Sequence, residues 1–189
     1  MPFIIGFIVI IVIFGLWLMG AYNGLVRSRN ETKNSWSQID VQLKRRHDLI
    51  PNLVETVKGY AAHERQTLEA VIEARNQAVK AEGAGPDAQA KAEGLLSGAL
   101  SRLLVVVERY PELKANQNFL ALQEELSSTE NKISFSRQYY NDTVLRYNNL
   151  TQVFPSNIVA NMAGFKAAEF FQVETPAERE VPKVSFTKP

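Results

Sequence analysis

Residues 3–21 contain no charged side chain and are built almost wholly from Ile, Val, Phe, Leu and Gly. Few features constrain a chain more strongly. As a helix at ~1.5 Å per residue, nineteen residues reach about 28 Å, close to the roughly 30 Å hydrocarbon core of a bilayer. A cleaved secretory signal fits less well. No Lys or Arg precedes the apolar run, and Leu18-Met19-Gly20-Ala21 lacks small residues at both positions of a cleavage site. The stretch is therefore read as a permanent membrane anchor in contact with lipid. Trp17 and Tyr22 stand where an aromatic belt meets headgroups. The flanking cations Arg27, Arg29 and Lys33 place the C-terminal side in the cytoplasm by the positive-inside bias.

Beyond the anchor, apolar residues recur every three or four positions. Trp36, Ile39, Leu43, Ile50, Leu53, Val57 and Tyr60 form one seam, interrupted by Arg46. Nothing between Tyr22 and Ser35 forces a break, so the anchor is expected to run into this first helix. Pro51 removes a backbone donor, and a kink is expected near residues 46–50.

A second helix is expected over residues 61–81, with Leu68, Val71, Ile72, Arg75, Ala78 and Val79 inward. It ends at the turn Gly83-Ala84-Gly85-Pro86. Pro86 then opens a third helix, with Asp87 favourable at its N-terminus, running to about Arg109. Its stripe is Leu95, Leu96, Ala99, Leu100, Leu103, Leu104 and Val107. The fourth and longest soluble helix covers roughly residues 118–154. Its seam is Phe119, Leu122, Leu126, Thr129, Ile133, Ser136, Tyr140, Thr143, Tyr147 and Leu150. Half of that seam is polar or tyrosine, which suits a bundle with hydrogen bonds between helices better than a pure coiled coil. A short helix over residues 157–163 closes at Gly164.

The expected fold is all-α: a transmembrane helix continuing into an antiparallel four-helix-type bundle, plus a short C-terminal helix. The expected divisions are a short N-terminus (1–2), the span (3–21), the bundle domain (22–171) and a flexible Pro-rich tail (172–189).

The chemistry legible in the residues is sparse. A net charge of +1 gives no electrostatic support for nucleic-acid binding. The absence of cysteine removes thiolate nucleophiles and zinc–thiolate sites. His47 and His63 fit no metal spacing, no serine sits in G-x-S-x-G, and the glycines near 83–85 lack the Lys-Ser/Thr of a phosphate loop. No catalytic, cofactor or metal residue is assigned. Two polar groups remain: Arg45-Arg46-His47-Asp48, and Glu130, Arg137, Asn141 and Asn148 on the fourth helix. Buried charge demands partners, so Asp40, Arg45, Arg46, Asp48, Glu130, Arg137 and Asn141 are read as a structural network that fixes helix register.

Several words in the chain are long enough to be specific. The densest is Trp36-Ser37-Gln38-Ile39-Asp40-Val41-Gln42-Leu43-Lys44-Arg45-Arg46-His47-Asp48-Leu49-Ile50-Pro51-Asn52-Leu53-Val54. Others are Tyr110-Pro111-Glu112-Leu113-Lys114-Ala115-Asn116, Thr129-Glu130-Asn131 and Phe154-Pro155. These resemble the LemA family of bacterial membrane proteins. The resemblance implies a transmembrane helix with a short exported N-terminus, a helical bundle in the cytoplasm, and residence in the inner membrane. It implies no enzyme.

The function expected is a non-enzymatic, membrane-anchored scaffold or adaptor. It would self-associate as a homo-oligomer or dock another membrane protein, in envelope maintenance. The competing reading is a tethered sensor with a ligand site in the polar seam between the first and fourth helices. Apolar residues 165–171 supply a candidate contact surface, for protein or for lipid. Within residues 3–21, Gly6, Gly15 and Gly20 make no G-x-x-x-G with one another, so self-association would rest on the soluble part.

Overall fold

A computed structural model describes residues 2–172. The Pro-rich stretch expected as a flexible tail lies, apart from Gln172, outside the described residues. The chain is all-α, with no strand among the described residues: α1 (Pro2–Lys58), α2 (Arg65–Lys80), α3 (Pro86–Val107), α4 (Pro111–Lys114), α5 (Gln117–Gln152) and α6 (Ser156–Met162). It divides into two compact units. Among the described residues, one comprises 2–45 and Thr129–Phe170, the other Arg46–Ser128 with Phe171 and Gln172.

The anchor and the first bundle helix are a single α-helix, as the uninterrupted periodicity implies. No residue of 3–21 is buried, which distinguishes this stretch from the core helix of a soluble protein. It is long and apolar enough to cross a membrane.

In the first unit α1 and α5 run antiparallel. Ser35 Oγ meets Thr143 Oγ1 at 2.9 Å, Trp36 stacks edge-on against Tyr140 with centroids 5.1 Å apart, and Arg146 pairs with Glu31 at 3.1 Å. A chain that climbs α1 thus descends α5. Where α6 ends, Gly164 adopts φ 71° and Phe165 N donates to Ala160 O at 2.9 Å. Glycine takes this left-handed conformation without a Cβ penalty, and the bond closes the helix end. Phe165 then packs with Leu25, Tyr147, Val159 and Ala160.

The polar half of the α5 seam is satisfied in two ways. Thr143 bonds Ser35 of α1, as a bundle with hydrogen bonds between helices requires, whereas Tyr140 and Tyr147 reach the backbone of the non-helical segment that follows α6. Tyr147 Oη donates to Lys166 O and Tyr140 Oη to Glu169 O, both at 2.8 Å. The Asn148 amide donates to Ala168 O (3.0 Å) and accepts from Ala168 N (2.8 Å). A segment outside helix or sheet has backbone groups that need partners when covered, and these side chains supply them. Residues 165–171 are accordingly not a free apolar surface. Phe165 and Phe171 are both buried, Phe165 in the cluster with Leu25 and Tyr147.

Burial pushes the Tyr140 hydroxyl up to about 12 from 10.0, with the Glu169 carboxylate adding to the effect. The folded chain therefore holds this proton at a pH where the unfolded chain has released it, and stability falls as pH rises from about 10 towards 12. Tyr140→Phe is expected to lose about 1 kcal/mol at neutral pH with its hydrogen bond. It should also show a shallower alkaline decline than the parent chain in denaturant titrations at pH 9 and 11.5.

The second unit has its own core. The α1 residues Ile50, Leu53, Val54 and Val57 pack with Leu68, Val71 and Ala78 of α2, Leu96, Ala99 and Leu103 of α3, Leu113 of α4, and Phe119 of α5. Helix α2 begins at Arg65, later than the periodicity suggests, because a turn occupies residues 59–64. The four-residue α4 was not anticipated. Pro111 reads as a stop, but it also opens the next turn as a first helical residue. On α3, Leu95 and Leu104 of the expected stripe are exposed.

Candidate functional site

Helical geometry sorts the word Arg45-Arg46-His47-Asp48 into two faces. Successive residues on a helix are turned by about 100°, so neighbours cannot all point the same way. Arg46 and His47 face inward and are buried, whereas Arg45 and Asp48 are exposed. The inward pair meets α3. There Gln89, Glu93 and Ser97 are four residues apart and so share one face.

Glu93, itself buried, is the centre of this cluster. His47 Nε2 donates to Glu93 Oε1 at 2.7 Å, and Arg46 Nη1 lies 3.5 Å from Glu93 Oε2. Arg46 Nη2 also donates to Ser97 Oγ at 2.6 Å. His47 Nδ1 lies 3.3 Å from Glu82 Oε1 at the surface, without the alignment of a hydrogen bond. One guanidinium and one carboxylate are thus buried together. That balance is what a low-dielectric interior tolerates, since either ion left alone would keep its full desolvation cost.

Arg75 of α2 completes the cluster. Pro51 has no N–H, so the carbonyl four residues earlier, that of His47, has no helical donor. Arg75 Nε donates to that oxygen at 3.2 Å. The side chain that the α2 periodicity pointed inward therefore meets the hydrogen-bonding defect that the proline creates, and α1 continues through Pro51 as helix.

The remaining network candidates lie in the other unit. Asp40 and Glu130 are exposed, and Arg137 and Asn141 are half-buried. The structure brings Arg46 to Glu93 and Ser97 on α3, neither of which the sequence reading had singled out. A signal existed: Gln89, Glu93 and Ser97 recur every fourth residue on a helix whose intervening Ala90, Ala92 and Gly94 permit close approach. Among the described residues no group of three or more His, Cys, Asp or Glu is placed to hold a metal ion.

The fold and cluster define an all-α protein with one membrane-crossing candidate helix that continues into a helical domain closed around buried, charge-balanced polar groups. Comparison with known proteins supplies the family. The LemA family model matches residues 35–186, and the chain belongs to the LemA family. It is similar to magnetosome proteins MamQ 1 and MamQ 2 of Paramagnetospirillum magneticum, each 29% identical over 191 residues, covering 88% of this chain and 70% of the relative. It is also similar to protein LemA of Metamycoplasma hominis, 29% identical over 180 residues, covering 91% of this chain and 81% of the relative. None of these names states a catalytic activity.

Proposed function

We propose that this chain is a non-enzymatic, membrane-tethered scaffold that self-associates or docks other membrane proteins, with envelope maintenance as its setting. The observation that carries the reading is the use of its polar residues. Arg46, His47, Arg75 and Glu93 are engaged with one another and with backbone, where they hold α1, α2 and α3 together. Chemistry on a substrate would instead call for such groups to converge on an open cleft. Tethering to a plane raises local concentration, so weak contacts between domains suffice for assembly. Arg27, Arg29 and Lys33 support a helical domain on the cytoplasmic side of the inner membrane.

The sensor reading draws less support. Open grooves between α1 and α5 are lined by Arg27, Glu31, Arg146 and Asn149 in one case and by Ser37, Gln38, Gln42 and Ser136 in another, and neither is lined by Asp40, Arg46, Glu130 or Arg137.

Crosslinking in the native membrane, followed by isolation in mild detergent and native mass measurement, tests the scaffold. Discrete oligomers or a reproducible co-isolated membrane protein are expected. A strictly monomeric species with nothing attached would sink the reading.

A further inference from the structure

Among the described residues beyond 3–21, the corner between α5 and α6 gathers four exposed apolar side chains. Val153 is 57% exposed, Phe154 75%, Ile158 48% and Met162 79%. Ile158 and Met162 are four apart and share one face of α6, while Val159 and Ala160 on the other face are buried. A monomeric soluble domain rarely leaves such a group uncovered.

The position of the corner identifies what covers it. The buried face of α6 belongs to a cluster that includes Leu25 and against which Trp17 and Ala21 pack. Trp17 and Ala21 lie in the apolar run itself, so α6 is fixed to the last turns of the span. The antiparallel register agrees. Pairing of Glu31 with Arg146 puts the end of α5 level with residues 24–27, where the span leaves the hydrocarbon. Cations stand just beyond: Arg27 and Arg146 line an open groove of about 560 Å³ that Val153 also lines, with Glu31 as its single acid. Apolar side chains at the level of the span's end, with surplus positive charge next to them, match the layering of a bilayer surface.

We propose that the α5–α6 corner is a second membrane contact, with Val153, Phe154, Ile158 and Met162 inserted among the lipid headgroups and upper acyl chains. The chain then grips the bilayer at two places, one crossing it and one lying in its surface. This rests on reading residues 3–21 as a membrane span.

Because the chain has no native cysteine, single labels can be placed cleanly. The full chain carrying Phe154→Cys or Met162→Cys, each with a nitroxide, is reconstituted in vesicles of phosphatidylcholine and phosphatidylglycerol. Collision with oxygen, which concentrates in lipid, is compared with collision with a water-soluble nickel chelate. Ile8→Cys serves as the reference for the span. Phe135→Cys, on the equally exposed Phe135 far up α5, serves as the reference for water. Oxygen is expected to dominate at 154 and 162, as at 8, and nickel at 135. Nickel dominance at 154 and 162 with lipid contact retained at 8 would overturn the proposal alone. Poor collision with both reagents would mean that protein covers the corner, and would overturn it equally. Nickel access at 8 would overturn the span, and this proposal with it.

Discussion

Glu93→Ala is expected to destabilise the fold by about 3–5 kcal/mol, because it removes the carboxylate that faces both Arg46 and His47 and leaves buried charge uncompensated. Glu93→Gln keeps the volume and one acceptor oxygen but loses the charge, so its cost should be about half as large. The ordering matters more than the values. If Glu93 were only filling space, the glutamine variant would match the parent and alanine would cost no more than a small cavity. Denaturant unfolding of the full chain in mild detergent, followed by far-UV circular dichroism, measures both. An alanine variant within about 0.5 kcal/mol of the parent would show that the cluster does not hold α1 to α3.

The second large effect is expected at Phe119. Its ring is 1% exposed within the core formed with α1, α2 and α3, and its backbone N–H donates to Asn116 Oδ1 at 3.0 Å as α5 begins. The side chain thus anchors the first turn of α5 while Asn116 caps it. Phe119→Ala should cost about 3–5 kcal/mol through lost burial and the cavity left behind. The chemically identical change at Phe135, on the same helix but 73% exposed, should fall within about 0.5 kcal/mol. Equal effects at the two positions would contradict the packing described. The comparison uses the same unfolding measurement and needs no assumption about function.

The sequence was most legible where a local rule decides the outcome. Glycine at 83, 85 and 164 and proline at 86 mark helix ends because they act through their own backbone. The α1 seam of Ile39, Leu43, Ile50, Leu53 and Val57 is buried because a 3.6-residue period admits only one inward face. The fold class followed from such patterns and from the uncharged residues 3–21. Helix α4 escaped notice because four residues carry no period.

The site was half legible. Arg46 stood out as a charge on an apolar seam, yet its partner Glu93 is forty-seven residues along the chain, and spacing cannot encode a pairing at that distance. Glu130 and Arg137, seven residues apart on the fourth helix, are the acid and base that periodicity makes conspicuous as partners, whereas the polar residues of α3 lie beside a more conspicuous leucine stripe. Arg75 was placed inward by periodicity. Its acceptor could be understood only once α2 was seen to lie beside the carbonyl that Pro51 leaves without a donor. Exposure of other large apolar residues was not legible either. Phe165 and Phe171 are conspicuous in sequence but buried, whereas Phe154 and Met162 look unremarkable and are exposed.

Helix α1 has a mechanical consequence. From the lipid to the packed stripe formed by Leu25, Ser28, Thr32, Ser35, Ile39 and Leu43 there is no loop to absorb torsion. Each residue advances the helix by about 100°, so the lipid-embedded turns and the stripe share one rotational phase. One residue added between Ala21 and Leu25 would turn the stripe by about 100° relative to Trp17 and Ala21, which pack against the same cluster as Leu25, and would swing it out of mesh.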